Sequence, residues 1–175
     1  MRTMRIRFSI PLALVVISTL LAAFLLGDAK PSVRVAPIDS VGPRPVETQT
    51  QASVVRDYLK AWETLGSAMS ENRADLLDGY FVGVAKDKLT DTIHEQQKLG
   101  IEADYRGLSH ALQVVFYSPE GLSIQLADNV EYEVDLRDHG KAVGTQRVRT
   151  RYVAVLTPTE SKWKVRVFQS GDRTN

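Results

Sequence analysis

Cysteine is absent from the 175-residue sequence. Disulfides, thiol nucleophiles and thiolate metal sites are therefore excluded. Histidine is scarce. His94, His110 and His139 are the whole set, and their spacing fits no usual zinc pattern, so neither a metal nor another cofactor is expected. An excess of one charge is also lacking: 22 basic side chains face 21 acidic ones, for a net charge of +1. Such a balance gives no global attraction to nucleic acid. Internal repeats are missing, and long apolar runs are missing everywhere except at the N-terminus.

That exception is Phe8 to Leu26, about 19 residues without a charge, or about 28 Å as a helix, close to the hydrocarbon thickness of a bilayer. Pro11 falls in its first turn, where a missing N–H does no harm. Arg2, Arg5 and Arg7 precede it in a basic tail, residues 1–7, that the positive-inside tendency keeps cytoplasmic. The run exceeds the apolar core of about 7–15 residues usual in a cleaved signal peptide, although Gly27 and Ala29 offer a cleavage site before Lys30. The reading favoured here is an uncleaved transmembrane helix over residues 8–26, with membrane lipid as its partner. It places the protein as a single-pass component of an inner (plasma) membrane, its C-terminal domain extracytoplasmic.

Residues 27–50 contain Pro31, Pro37, Pro43 and Pro45 and read as an extended linker. Beyond it, Val55, Leu59, Trp62, Leu65 and Met69 recur at helical steps and predict an amphipathic helix. Asn72 is placed to cap a short second helix, RADLLDGYF. A third, AKDKLTDTIHEQQKLG, ends at Gly100, a suitable residue just past a helix, with Leu89, Ile93, Gln96 and Leu99 as a weak stripe. From Tyr105 the period becomes two, and four strands follow. The turn SPEG pairs Ser118 with Leu122, RDHGK pairs Arg137 with Lys141, and TPTESK pairs Thr157 with Lys162. These registers gather Leu112, Val114, Phe116, Leu122, Ile124, Leu126, Val130, Ala154, Leu156, Trp163, Val165 and Val167 on one face. The expected fold is α+β: an N-terminal transmembrane helix, then three helices packed on a curved four-stranded antiparallel meander, residues 51–170, with a short tail at 171–175.

Three helices followed by such a meander, closing with RYVAVLTPTESKWKVRVFQ, resemble the nuclear transport factor 2-like superfamily. With a membrane helix in front, the chain is similar to anchored bacterial members, among them proteins associated with mammalian-cell-entry transport systems and the inner-membrane assembly component of type IV secretion. That resemblance implies a scaffold role and a cone between helices and sheet. The superfamily also holds enzymes such as ketosteroid isomerase and scytalone dehydratase, so the fold leaves function open.

The register directs His110 and Asp128 into the cone on neighbouring strands. A His–Asp pair in an apolar cone is a candidate general base tuned by burial, with Tyr132 and Tyr152 as donors to a developing oxyanion. The alternative is that His110 and Asp128 lie near the wetter end of the sheet or satisfy one another structurally. Trp62, Tyr80 and Phe81 read as core residues that plug the helices onto the sheet. On the outer face, Glu131 is expected opposite Arg147. Arg149, Arg151, Lys164 and Arg166 are then left as a modest basic patch, suited to anionic headgroups or an acidic partner. Val115, Tyr117, Ala127, Val153, Val155 and Phe168 form an apolar strip on the same face, a candidate homodimer interface. The function that fits best is a non-enzymatic, membrane-tethered assembly domain with an envelope protein as partner. The alternative is a small-molecule-binding or acid–base enzyme using the cone. A cone filled by Trp62, Phe81 and Tyr152 argues for the former, and an open pocket lined by His110 and Asp128 for the latter.

Overall fold

The structure, a computed structural model, describes residues 31–36 and 43–171. In chain order it contains β1 (Ser32–Val35), α1 (Thr48–Ser70), a 3-10 helix (Ala74–Gly79), α2 (Gly83–Leu99), β2 (Ile101–Tyr117), β3 (Ile124–Asp138), β4 (Lys141–Pro158) and β5 (Trp163–Gly171). The three helices lie against one face of a single sheet ordered β1-β2-β3-β4-β5.

This corrects the expected sheet, which has five strands and is mixed rather than a four-stranded antiparallel meander. The additional strand, β1, comes from the stretch read as linker and runs parallel to β2, with Ser32 beside Ser109 and Val35 beside Leu112. Val33 and Val35 are β-branched, and Pro31 and Pro37 bracket the segment, which confines it to a short edge strand. The membrane assignment is corrected as well. Among the described residues no helix is long and apolar enough to cross a membrane. The run Phe8–Leu26, the basic tail before it and residues 172–175 lie outside the described residues. The single-pass location and the lipid partner drawn from that run therefore gain no support and are not carried further.

On α1 the buried stripe is Val54, Tyr58, Ala61, Trp62, Leu65, Ala68 and Met69, spaced as one face of a helix requires. Each large apolar side chain so buried contributes about 1.5–3 kcal/mol. Asn72 does not cap the next helix. It adopts a left-handed conformation, φ 52°, and its side-chain amide donates to the Ile101 carbonyl at 2.8 Å. The helix that follows is 3-10 in form and begins after Arg73. On α2, Ile93 is fully buried and Gln96 donates to the Met69 carbonyl. Leu99, expected on its apolar stripe, is 51% exposed.

Single inserted residues shift the ladders at four places, one of them at Gly107–Leu108 of β2; the other three bear on the expected registers. In β2 an extra residue, Val115, falls between the pairs Val114–Leu126 and Phe116–Gln125. Tyr117 thereby turns into the core and Phe116 turns outward, the reverse of the expected faces. The Ser118 amide donates to Ser123, one residue beyond the expected partner Leu122, and Leu122 is exposed. Between β3 and β4, Asp138 pairs with Lys141 across a two-residue turn. His139 and Gly140 both hold positive φ there, 48° and 76°, the conformation a tight hairpin needs. Val143 is the extra residue in this ladder; together with the tighter turn it moves the later pairs by two positions, so that Glu131 faces Arg149 rather than Arg147. In β5 the extra residue is Arg166. Val165 pairs with Leu156, and Phe168, expected outside, lies opposite Ala154 on the inner face. Each bulge reverses alternation beyond it.

Gly100 ends α2 in a left-handed conformation, φ 68°, and its carbonyl accepts from the His139 amide at 2.7 Å. A Cβ at this position would lie 2.6 Å from the His139 ring, whereas one at Gly140, φ 76°, would meet nothing within 4 Å. Both glycines carry the left-handed cost of about 1–3 kcal/mol for another residue. The His139 ring is the exposed end of its side chain and can swing aside, so Gly100→Ala and Gly140→Ala are each expected to lower stability in urea unfolding by about that cost. No loss at Gly100 would show that the left-handed end of α2 is not required.

Candidate functional site

The inner face of the sheet brings two ionisable side chains under α1. His110 of β2 pairs with Val130 in the ladder and Leu112 with Asp128, so His110 and Asp128 are diagonal neighbours on one face. Their side chains meet, with His110 Nδ1 2.8 Å from Asp128 Oδ2. Tyr58, on the stripe of α1, donates its hydroxyl to the same oxygen at 3.0 Å. An ionised carboxylate offers only acceptors, so the imidazole Nδ1 also donates. Asp128 is 0% exposed and His110 5%. Burial this deep is stable only when the charge is hydrogen-bonded. Asp128 Oδ1 and the indole Nε1–H of Trp62 have no protein partner in this interior.

Aromatic rings cluster around this pair. The Trp62 ring lies 5.5 Å from His110, 5.9 Å from Tyr132, 5.1 Å from Tyr152 and 5.3 Å from Phe168. Phe168 stacks on Tyr152 at 4.6 Å and meets Phe81 at 6.1 Å. The hydroxyls of Tyr132 and Tyr152 lie 3.4 Å apart. These separations are contact distances for edge-on and offset aromatic pairs. Four residues singled out as candidate chemistry, His110, Asp128, Tyr132 and Tyr152, are thus gathered together, with Trp62 packed on His110, Tyr132 and Tyr152.

Sequence reasoning missed Tyr58 and Asp57. Tyr58 sits four residues before Trp62 on the helical stripe, and a phenol there was a legible signal for a buried acceptor on the sheet. Asp57, 3% exposed, accepts from the Trp163 amide at 2.8 Å and from Arg56. It ties α1 to the first residue of β5. Tyr80 is only partly buried, with the Lys162 ammonium 4.4 Å over its ring.

The outer face is less continuous than its sequence suggests. Glu131 accepts from Arg147 Nε at 2.7 Å and from Arg149 Nη2 at 2.9 Å. The two guanidinium groups, Arg149 foremost, hold its carboxyl below the usual range. Asp135 is likewise lowered, by the Thr145 hydroxyl first and then by Arg106. Arg151 stands exposed opposite Asn129. Lys164 donates to the Asp78 carbonyl of the 3-10 helix at 2.8 Å, and Arg166 lies against Gly83 at the start of α2. In the apolar strip Val115, Val153 and Val155 are half-buried, Ala127 is buried, and Tyr117 belongs to the core. An open groove of about 530 Å³ is lined by Glu131, Gln146, Arg147, Val148 and Arg149. Among the described residues no three His, Asp or Glu side chains are grouped to hold a metal ion.

No protein-family model and no curated protein matches the sequence. Solved structures do match. The intermembrane space region of chloroplast protein ARC6 is 18% identical, over 73% of this chain and 98% of that one, with a TM-score of 0.56. A protein of Novosphingobium aromaticivorans, assigned as a scytalone dehydratase, is 11% identical over 72% and 89%, with a TM-score of 0.50. The fold is nuclear transport factor 2-like.

The buried phenols give a pH test. Burial raises Tyr58 well above the ordinary range, helped by the Asp128 charge, and burial also raises Tyr105, Tyr132 and Tyr152. The folded state favours the neutral phenol. Its contribution is therefore complete below the ordinary tyrosine value near 10 and is lost as pH rises beyond it. In an alkaline titration, phenolate absorbance from Tyr58 and Tyr132, the two buried phenols, should appear only together with loss of the far-ultraviolet dichroism. Complete ionisation with the fold intact would contradict the sealed interior.

Proposed function

We propose that this is a non-catalytic protein-interaction domain whose cone is closed by its own side chains. The observation that carries this reading is Trp62, which packs on His110, Tyr132, Tyr152 and Phe168 in the space where a substrate would meet His110 and Asp128. A general base must come within hydrogen-bond reach of the proton it removes. With the indole in place, the His110–Asp128–Tyr58 group serves as a structural joint. The likeness to the ARC6 region supports the architecture alone. Partners then bind on the outside of the domain, where the sheet presents the half-buried Val115, Val153 and Val155 beside charged side chains. A second copy is one such partner.

One observation favours a second reading, a small-molecule site. The unpartnered Asp128 Oδ1 is a buried acceptor, left at a cost of about 1–3 kcal/mol. A polar ligand donating to it beside Trp62 would satisfy it.

A titration of the nitrogen-15-labelled protein with phenol, indole and 2-cyclohexenone, read at the Trp62 indole N–H, separates the two. The interaction reading expects no saturable shift, and cross-linking in native extract to a second copy or another protein. A saturable shift at Trp62, or cross-linking that recovers neither, overturns it.

A further inference from the structure

β1 is held differently from the rest of the sheet. It is four residues long, runs parallel to β2, and has β2 as its one neighbour among the described strands. All four of its side chains are exposed, Val33 by 48% and Val35 by 41%. The other four strands each place side chains in the core, and β1 places none there. Apolar burial, which holds those strands, contributes little to this one. Parallel pairing is also slightly weaker per residue than antiparallel pairing. A segment with few buried apolar contacts and exposed backbone bonds belongs to the part of a fold that opens first.

This loosely held strand stands beside the buried polar pair. The ladder sets Val33 against His110 and Val35 against Leu112. Directly paired residues share a face, so the Val33 side chain lies on the inner face next to the imidazole. Val130 flanks His110 on the opposite side, from β3. Tyr58 and Trp62 of α1 cover the ring at 6.4 and 5.5 Å between centroids. β1 closes the remaining flank, and beyond it no further strand is described. His110 is buried behind a residue that is itself half open. Hydrogen-bonded to His110 is Asp128, whose Oδ1 has no protein partner.

The backbone shows how the strand is attached. The Ala36 amide donates to the Leu112 carbonyl at 2.8 Å. Alternate residues of a strand point the same way. Arg34 therefore also directs its N–H at β2, and His110 and Leu112 direct theirs at β1, whereas Ala111 and Gln113 face β3.

We propose that β1 is a displaceable strap. Seated on β2 it seals the flank of His110, and its release opens that flank together with the β2 edge at Ser109–Leu112 while the core stays folded. The device does not depend on which partner binds the outer face of the domain.

The test uses the full chain. Diethyl pyrocarbonate acylates accessible imidazoles at neutral pH, and peptide mass spectrometry separates His110 from the exposed His94, the internal standard. Two changes move the strap in opposite directions, with dichroism as the check on folding. Arg34→Pro removes a ladder donor at an exposed position. Arg34→Cys/Ala111→Cys joins direct ladder neighbours, a spacing that disulfides tolerate, in a chain with no other cysteine. His110 should react about tenfold or more slower than His94, as a site reached through local opening does. Arg34→Pro should raise the His110 rate about tenfold or more and leave His94 unchanged, because the closed state is weakened. The oxidised bridge should lower the His110 rate, with recovery on reduction. Residue-resolved amide exchange should be faster at His110 and Leu112 than at Ala111 and Gln113. Labelling of His110 as fast as His94 in the unaltered chain, a His110 rate indifferent to bridging, or exchange of all four amides at one rate overturns the proposal. Should Arg34→Pro fail to fold, the oxidised and reduced forms of the bridged protein decide the matter by themselves.

Discussion

Asp128 is the group on which the rest of the structure depends. It is fully buried and ionisable, so the fold must bring donors to it or bear the cost of an unpaired charge. The donors come from two different elements, Tyr58 from α1 and His110 from β2. Meeting both at once fixes the rotation of the helix and the register between the two strands. A slip of one residue in β3 would carry the carboxylate to the outer face and leave a histidine and a phenol without their acceptor.

The joint also explains the closed interior. Tyr58 and Trp62 are four residues apart and emerge on the same side of α1. Holding Tyr58 on Asp128 therefore sets Trp62 among His110, Tyr132, Tyr152 and Phe168. In the reading proposed here, the residues that would be an acid–base dyad in an open cone serve as a clasp in a filled one. A second tie works alongside it. Asp57, the neighbour of Tyr58, accepts from the start of β5, so adjacent positions of one helix turn hold opposite regions of the sheet.

Much of this architecture was legible in the sequence, and the remainder failed for local reasons. The helical spacing of Trp62, Leu65 and Met69, the left-handed stop at Gly100 and the alternation after Tyr105 are strong signals because each repeats or demands one residue type. Alternation was enough to direct His110 and Asp128 inward. It was not enough for Tyr117 and Phe168, because a single bulged residue, Val115 or Arg166, reverses every side chain beyond it and leaves no mark in the period. The two-residue turn and the bulge at Val143 together changed the partners of Arg147 and Arg149 without changing their face. β1 was hidden because four exposed residues between prolines resemble a linker until β2 offers an edge. The contact of Tyr58 with Asp128 spans 70 positions, and no local pattern encodes it.

A double-mutant cycle on Tyr58→Phe and Asp128→Asn, read by urea unfolding, measures the central joint directly. Contacting groups in one hydrogen-bonded set show coupling of about 0.5–3 kcal/mol, and independent sites add to within about 0.3–0.5 kcal/mol. A joint between α1 and the sheet predicts coupling of about 1 kcal/mol or more. Strict additivity would mean that Asp128 does not hold the helix, and the account of the closed cone would fail with it.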